Sequence, residues 1–245
     1  MTLIKSKERV RNHGEVFTPE WVVKNMCDLV RDDCENIHSK FLEPACGDGN
    51  FLVEILTRKL KNAKTIDDTL YALESLYGID ILYDNVYDCR ANLLECWRNY
   101  LADLVEPRYT LRAQKIINKN IICGDFISCR TDIGTELELY NWEVRTFQPL
   151  YYLRKNSNKQ LTLFSLCGFG DSISFDVIIG NPPYNDTTRT SDNYSEPLYN
   201  KFVLEAKKYN PKNIVFITPS RWLTCGQKLK PLRDAMLTDL SYPIM

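Results

Sequence analysis

Asn181-Pro182-Pro183-Tyr184 follows directly on the apolar run Phe175-Asp176-Val177-Ile178-Ile179-Gly180. The four residues join two hydrogen-bond acceptors to a flat ring, a set that suits an amine whose lone pair is delocalised into its neighbours. Such a nitrogen is a poor nucleophile, and a nearby general base does little for it. If the Asn181 side-chain oxygen and the Pro182 carbonyl each accept one amine hydrogen, the nitrogen is drawn toward tetrahedral geometry. Its lone pair is then free to attack an activated methyl group. Tyr184 offers a face on which a planar substrate can stack. Pro182 and Pro183 hold the backbone direction through their fixed φ and have no N–H to compete. The same tetrapeptide also serves as a plain turn ending a buried strand, and taken alone it leaves the two readings open.

A methyl donor would have to be held opposite that turn, and three earlier strand ends carry suitable residues. Leu42-Glu43-Pro44-Ala45-Cys46-Gly47-Asp48-Gly49-Asn50-Phe51-Leu52 lies where a first strand passes into a helix. A dinucleotide site would want a third glycine where Leu52 stands, so a pyrophosphate is disfavoured. Glu43, the close glycines Gly47 and Gly49 and a helix start fit instead an amino-acid moiety bearing an amine and a carboxylate, as in S-adenosyl-L-methionine. Asp80, in Tyr77-Gly78-Ile79-Asp80-Ile81, can accept both ribose hydroxyls, with Ile81 against the adenine. Asp125, in Cys123-Gly124-Asp125-Phe126, can accept from the adenine amino group, with Phe126 on the ring's other face. Each aspartate taken singly reads more simply as a helix cap or turn residue. Their succession at strand ends would bring them together in one crevice at the carboxyl edge of a sheet.

The elements that would place these residues read as an α/β chain. Short β-rich runs alternate with amphipathic stretches, the pattern of a doubly wound, mostly parallel sheet. Strands are predicted at Lys40 to Ala45, Leu76 to Ile81, Asn120 to Gly124, Phe175 to Gly180 and Asn213 to Thr218. Helices are predicted at Pro19 to Arg31 with Thr18 as N-cap, at Asn50 to Leu60, Tyr83 to Leu104, Leu198 to Tyr209 and Gln227 to Leu237. Ile127 to Asp171 and the polar run Asn185 to Glu196 interrupt this pattern.

The 245 residues, 44% hydrophobic and 26% charged, suffice for one large domain with a proper core. A formal net charge of −1 confines any nucleic-acid surface to a local patch. No run is long enough to cross a bilayer, and the N-terminus lacks the apolar core of a signal peptide, so the expected location is the cytoplasm. Nine scattered cysteines without a C-x-x-C pair, and two histidines, suggest neither a zinc site nor a disulfide framework. No metal is expected.

With these residues in hand, the chain resembles the gamma-class DNA adenine-N6 methyltransferases of restriction-modification systems. The motif order from Gly14 to Leu237 carries the resemblance. Gly14-Glu15-Val16-Phe17-Thr18-Pro19 is similar to the family's N-terminal cofactor motif, in which the position of Thr18 touches the methionine carboxylate. The segment from Glu43 to Phe51 is similar to its glycine-rich motif, while Asp80, Asp125 and Asn181 to Tyr184 fall on its ribose, adenine and catalytic motifs. Pro197 to Phe202 and Ile217 to Trp222 are similar to later family segments. The resemblance implies a Rossmann-like fold, S-adenosyl-L-methionine as cofactor, and double-stranded DNA as the partner, with a flipped adenine in the site. Because family members continue into further strands and a target-recognition domain, residues 1–245 are expected to be one catalytic domain lacking its C-terminal strands, with recognition supplied by a missing domain or partner subunit. Enzymes that methylate ribosomal RNA or a protein glutamine use the same turn, and a cofactor-binding subunit without catalysis is a third reading. Trp142 to Lys155 interleaves cations with aromatics, as either a surface hairpin or a nucleic-acid face would. Lys228, Lys230 and Arg233 could meet phosphates or line a solvated helix.

Overall fold

The computed structural model describes residues 18–102, 106–154, 171–184, 197–220 and 232–234. Seven strands are present there: β1 (Phe41–Glu43), β2 (Leu76–Asp80), β3 (Ile121–Cys123), β4 (Glu138–Asn141), β5 (Thr146–Pro149), β6 (Val177–Gly180) and β7 (Asn213–Phe216). Five form one sheet in the order β3-β2-β1-β6-β7, and every pairing in it is parallel. β1, β2 and β6 are buried along their whole length, as strands covered on both faces must be. Side chains alternate between two cores: Phe41, Val177 and Ile179 point into one, Leu42 and Ile178 into the other.

The first core is covered by helices α1 (Glu20–Asp28), α2 (Arg31–Glu35), α3 (Asn50–Leu60), α4 (Ile66–Glu74), α5 (Tyr83–Leu101) and α6 (Pro107–Asn120). The second is covered by the antiparallel β4–β5 hairpin, a 3-10 turn at Leu150–Leu153 and helix α7 (Tyr199–Lys207). The chain therefore winds one way from β1 to β3 and the other way from β6 to β7. The reversal falls between β1 and β6, and the carboxyl edge at such a point is where ligands of doubly wound sheets bind.

All five expected strands are found, as is the surface hairpin in the inserted segment. Three helices were not foreseen: α2, α4 and α6. α4 is fixed by a capping box, in which Thr65 accepts from the Asp68 amide and the Asp68 carboxylate accepts from the Thr65 amide. The first predicted helix is shorter than expected, because Val30 leaves helical geometry and α2 starts anew. Its cap also differs. Pro19 has an extended ψ of 144° and is itself the N-cap, its carbonyl accepting from the Val22 and Val23 amides, which moves Thr18 one residue too far out to cap. Gly14 to Phe17, Lys155 to Gly170, Asn185 to Glu196, Arg221 and Trp222, Lys228, Lys230 and most of the last predicted helix lie outside the described residues.

Lys59 on α3 is fully buried and donates to the Asn36 and Ser39 carbonyls, each at 2.6 Å, tying down the chain just ahead of β1. Desolvation pushes its pKa down to about 7. Among the described residues no helix is long and apolar enough to cross a membrane, and no cluster of ligating side chains could hold a metal ion.

Candidate active site at the carboxyl edge

The loop from Pro44 to Gly49 leaves β1 and is pinned to β2 by two hydrogen bonds. The Cys46 amide donates to the Ile79 carbonyl and the Gly47 amide to Asp80 Oδ2, both at 2.9 Å. The loop closes as the Gly49 amide donates to the Cys46 carbonyl. Gly49 stands at φ +89°, and a Cβ there would lie 2.6 Å from Cys89 Sγ, so the backbone conformation and the close approach of α5 both demand glycine. Beneath the loop, Cys46 and Cys89 share a hydrogen bond that, with burial, raises the Cys46 thiol well above its ordinary range. Asn92 Nδ2 donates to the Asp48 carbonyl.

Glu43, at the end of β1, is 2% exposed. Its carboxyl accepts from the Leu52 amide near the start of α3, yet Oε2 is buried and accepts nothing. Burial first, then the nearby Cys89, Asp48 and Asp80, pushes its pKa well above the usual carboxylate range. A buried carboxyl oxygen in want of a donor fits a ligand ammonium, so the residues present are consistent with an amino-acid moiety at this loop.

Asp80 and Asp125 show the local roles expected of single aspartates. Asp80 Oδ1 accepts from the Leu82 amide and from Asn85 Nδ2, while Oδ2 holds Gly47. With three donors already, its room for two ribose hydroxyls is less than the sequence reading assumed. The Asp125 carboxylate accepts from the Ile127 and Ser128 amides and closes a turn. Phe126 departs from expectation: it is 1% exposed and stacks on Phe202 and Tyr209 in the second core, which leaves no face for a cofactor ring. The apolar pull of that core outweighs exposure at the edge. Ile81, by contrast, is 59% exposed at the end of β2, as a surface for a ligand ring would be.

Across the reversal point, β6 ends at Gly180, whose Cα lies against Glu43: a Cβ there would be 3.4 Å from Glu43 Cγ. The turn from Asn181 to Tyr184 and the glycine-rich loop are thereby adjacent. Asn181 Nδ2 donates to Thr18 Oγ1 at 3.2 Å, and Asn181 Oδ1 is buried without a partner. The described residues supply no donor to the Pro182 carbonyl either. Tyr184 is 39% exposed, with its ring edge-on to Tyr199 at 6.4 Å between centroids. The Leu198 amide donates to the Tyr184 carbonyl and fastens the turn to α7.

The edge thus gathers Thr18, Glu43, the loop from Pro44 to Gly49, Asp80, Ile81 and Asn181 to Tyr184, and excludes the ring of Phe126. Sequence reasoning missed Asn85, Cys89 and Asn92, which brace Asp80 and the loop from one face of α5. Their i, i+4, i+7 spacing was the available signal. A cavity of about 700 Å³ at the opposite edge, bordered by Lys40, Tyr77, Arg112, Tyr140, Trp142 and Arg145, contains none of the motif residues.

The fold and this edge define a doubly wound α/β protein of the methyltransferase type. The profile of the Eco57I restriction-modification methylase family matches residues 74–242, and that of N-6 DNA methylases matches residues 3–96. The chain belongs to the Eco57I restriction-modification methylase family. It is 26% identical over 271 aligned positions to an uncharacterized adenine-specific methylase of Mycoplasma pneumoniae. That match takes in 96% of this chain and 61% of the length of the relative. Among solved structures it is similar to the ATP-dependent Type ISP restriction-modification enzyme LlaBIII bound to DNA, with a TM-score of 0.59, 17% identity, and 91% of this chain against 16% of that one. The DrdV–DNA complex matches with a TM-score of 0.59 and 15% identity, over 96% of this chain and 23% of that one. These two likenesses are of fold.

Proposed function

We propose that this chain is the catalytic part of an adenine-specific DNA methyltransferase, moving a methyl group from S-adenosyl-L-methionine to the N6 amine of an adenine flipped out of double-stranded DNA. The observation that carries the reading is a pair of unused acceptors, Asn181 Oδ1 and the Pro182 carbonyl, on one turn beside the glycine-rich loop. A buried acceptor left without a donor costs about 1–3 kcal/mol, which an incoming N–H offsets. Two such acceptors suit a nitrogen that has two hydrogens and a delocalised lone pair.

The cofactor, when bound, supplies a methyl group on a positively charged sulfur. Glu43 Oε2 would accept from its ammonium, the backbone of Ala45 to Gly47 would flank it, and Ile81 would lie against its adenine. Asn181 and Pro182 would hold the target amine through its hydrogens, and Tyr184 would stack the flipped base. Because Asn181 Oδ1 is enclosed, an amine reaches it only if the surrounding chain parts. Family membership and the adenine-specific description of the Mycoplasma relative support DNA adenine as substrate.

The test is to incubate the protein with labelled cofactor and, separately, double-stranded DNA, ribosomal RNA and protein, then to map the modified base. Label at adenine N6, lost in Asn181→Ala, is the expected result. Label only in RNA or protein, or cofactor binding without transfer to anything, would overturn the reading.

A further inference from the structure

A side-chain amide can face its substrate in two ways, and only one of them is useful here. With Oδ1 toward the amine, Asn181 accepts a hydrogen; with Nδ2 there, it would set donor against donor. The neighbour that decides is Thr18, 163 residues away in sequence and 8% exposed, whose Oγ1 accepts from Asn181 Nδ2. A hydroxyl can donate as well as accept, so it could hold the amide either way round. What tips the choice is the fate of its own proton. The described residues offer the Thr18 hydroxyl proton no acceptor.

Resting on the function proposed above, we propose that Thr18 is a positioning residue for Asn181. With its hydroxyl donating a hydrogen bond to the carboxylate of a bound cofactor, Thr18 Oγ1 would be left able only to accept from Asn181, which turns Nδ2 toward Thr18 and Oδ1 toward the amine. This contact seats Thr18, just ahead of α1 and remote in sequence, on the turn after β6. Pro19 contributes by capping α1 itself, which leaves the Thr18 hydroxyl out of helix capping. No bond is made or broken; the orientation of one amide is set.

Thr18→Val keeps the shape and removes the hydroxyl, Thr18→Ser restores it, and Thr18→Ala serves should the valine variant unfold. The first readout is independent of activity. The side-chain amide resonances of Asn181 in nitrogen-15 spectra, assigned by their loss in Asn181→Ala, are expected to move in Thr18→Val and return in Thr18→Ser. Addition of S-adenosylhomocysteine, which has the carboxylate, is expected to shift them in the wild type, and methylthioadenosine, which lacks it, to leave them in place. The second readout is kinetic: with cofactor saturating, Thr18→Val is expected to lower kcat by ~10- to 100-fold, the scale of a small misplacement of a reacting group, with KM for DNA little changed. Unmoved resonances, or a loss confined to cofactor affinity, would overturn the proposal. Resonances that respond as expected in a protein that methylates nothing would leave the positioning intact and sink the proposed function instead.

Discussion

The two halves of the carboxyl edge are built to opposite rules. In the half formed by β1, β2 and α5, nearly every polar group is already paired within the protein: Asp80 takes three donors, the Cys46 and Gly47 amides are anchored to β2, and Asn85 and Asn92 brace the loop from behind. Among the buried side-chain atoms of the described residues in this half, Glu43 Oε2 is left without a partner. In the half formed by the turn after β6, the acceptors are the unpaired groups, the ring of Tyr184 is partly exposed, and one hydrogen bond to Thr18 orients Asn181. A rigid, self-satisfied cradle can hold a ligand of fixed shape through a single charged contact. An amine must instead be strained toward its transition state, and that calls for acceptors kept unsatisfied until it arrives.

Substitution should separate the halves. The largest effect is expected from Asn181→Ala, a loss of about 10²- to 10³-fold in methyl transfer, the size of removing one preorganised catalytic hydrogen-bonding group. Cofactor affinity by calorimetry should hardly change; a parallel loss of affinity would mean the halves are not distinct. Next comes Asp80→Ala, which strips partners from the Gly47 and Leu82 amides and from Asn85. It should destabilise the fold by about 2–3 kcal/mol in urea unfolding, since buried donors to a carboxylate lose their acceptor. Asp80→Asn should lose less. Tyr184→Ala should weaken DNA by about 1–2 kcal/mol through lost base stacking and leave stability alone, whereas Tyr184→Phe should behave as wild type. Loss in the phenylalanine variant would assign the work to the hydroxyl and not the ring.

The two halves were also unequally legible in the sequence. Strand ends, glycine-rich loop and the turn after β6 could be read because each depends on local signals: apolar runs closed by turn residues, glycine where the backbone bends back, proline where direction is fixed. Partners set by tertiary approach could not be read in this way. Phe126 was expected at the ligand because it follows Asp125, yet its ring joined Phe202 and Tyr209 from α7 and its C-terminal flank, distant in sequence. Thr18, expected to cap a helix and, by the resemblance, to touch the cofactor, caps nothing and meets Asn181 163 residues away. α4 and α6 were overlooked although Thr65 with Asp68, and Pro107 at a helix start, are ordinary initiation signals.

The smallest effect sharpens the comparison most, because only the Glu43 half titrates below neutrality, the Tyr184 phenol being pushed above its ordinary value by burial. Glu43, raised by burial, is protonated in the free protein to a higher pH than an ordinary carboxylate, whereas Asn181 and Pro182 have no proton to lose. Pairing with a ligand ammonium requires the ionised carboxylate, so binding should release a proton. Cofactor affinity should therefore rise with pH between about 4.3, the ordinary glutamate value, and about 7.7, where an α-amine begins to titrate. The sign for folding is the reverse. A raised carboxyl pKa gives stability that is fully present below the ordinary value and lost as pH rises through the raised one, so cofactor should stabilise the protein most at the upper end of the window. Calorimetry across that range should show a slope of up to tenfold per pH unit, one proton's worth, flattened in Glu43→Gln. The single-turnover methyl-transfer rate at saturating cofactor should stay level over the same window. If that rate instead tracked the affinity, Glu43 would be acting on the amine as well as on the cofactor, and the division of the edge into a paired cradle and an unpaired trap would not hold.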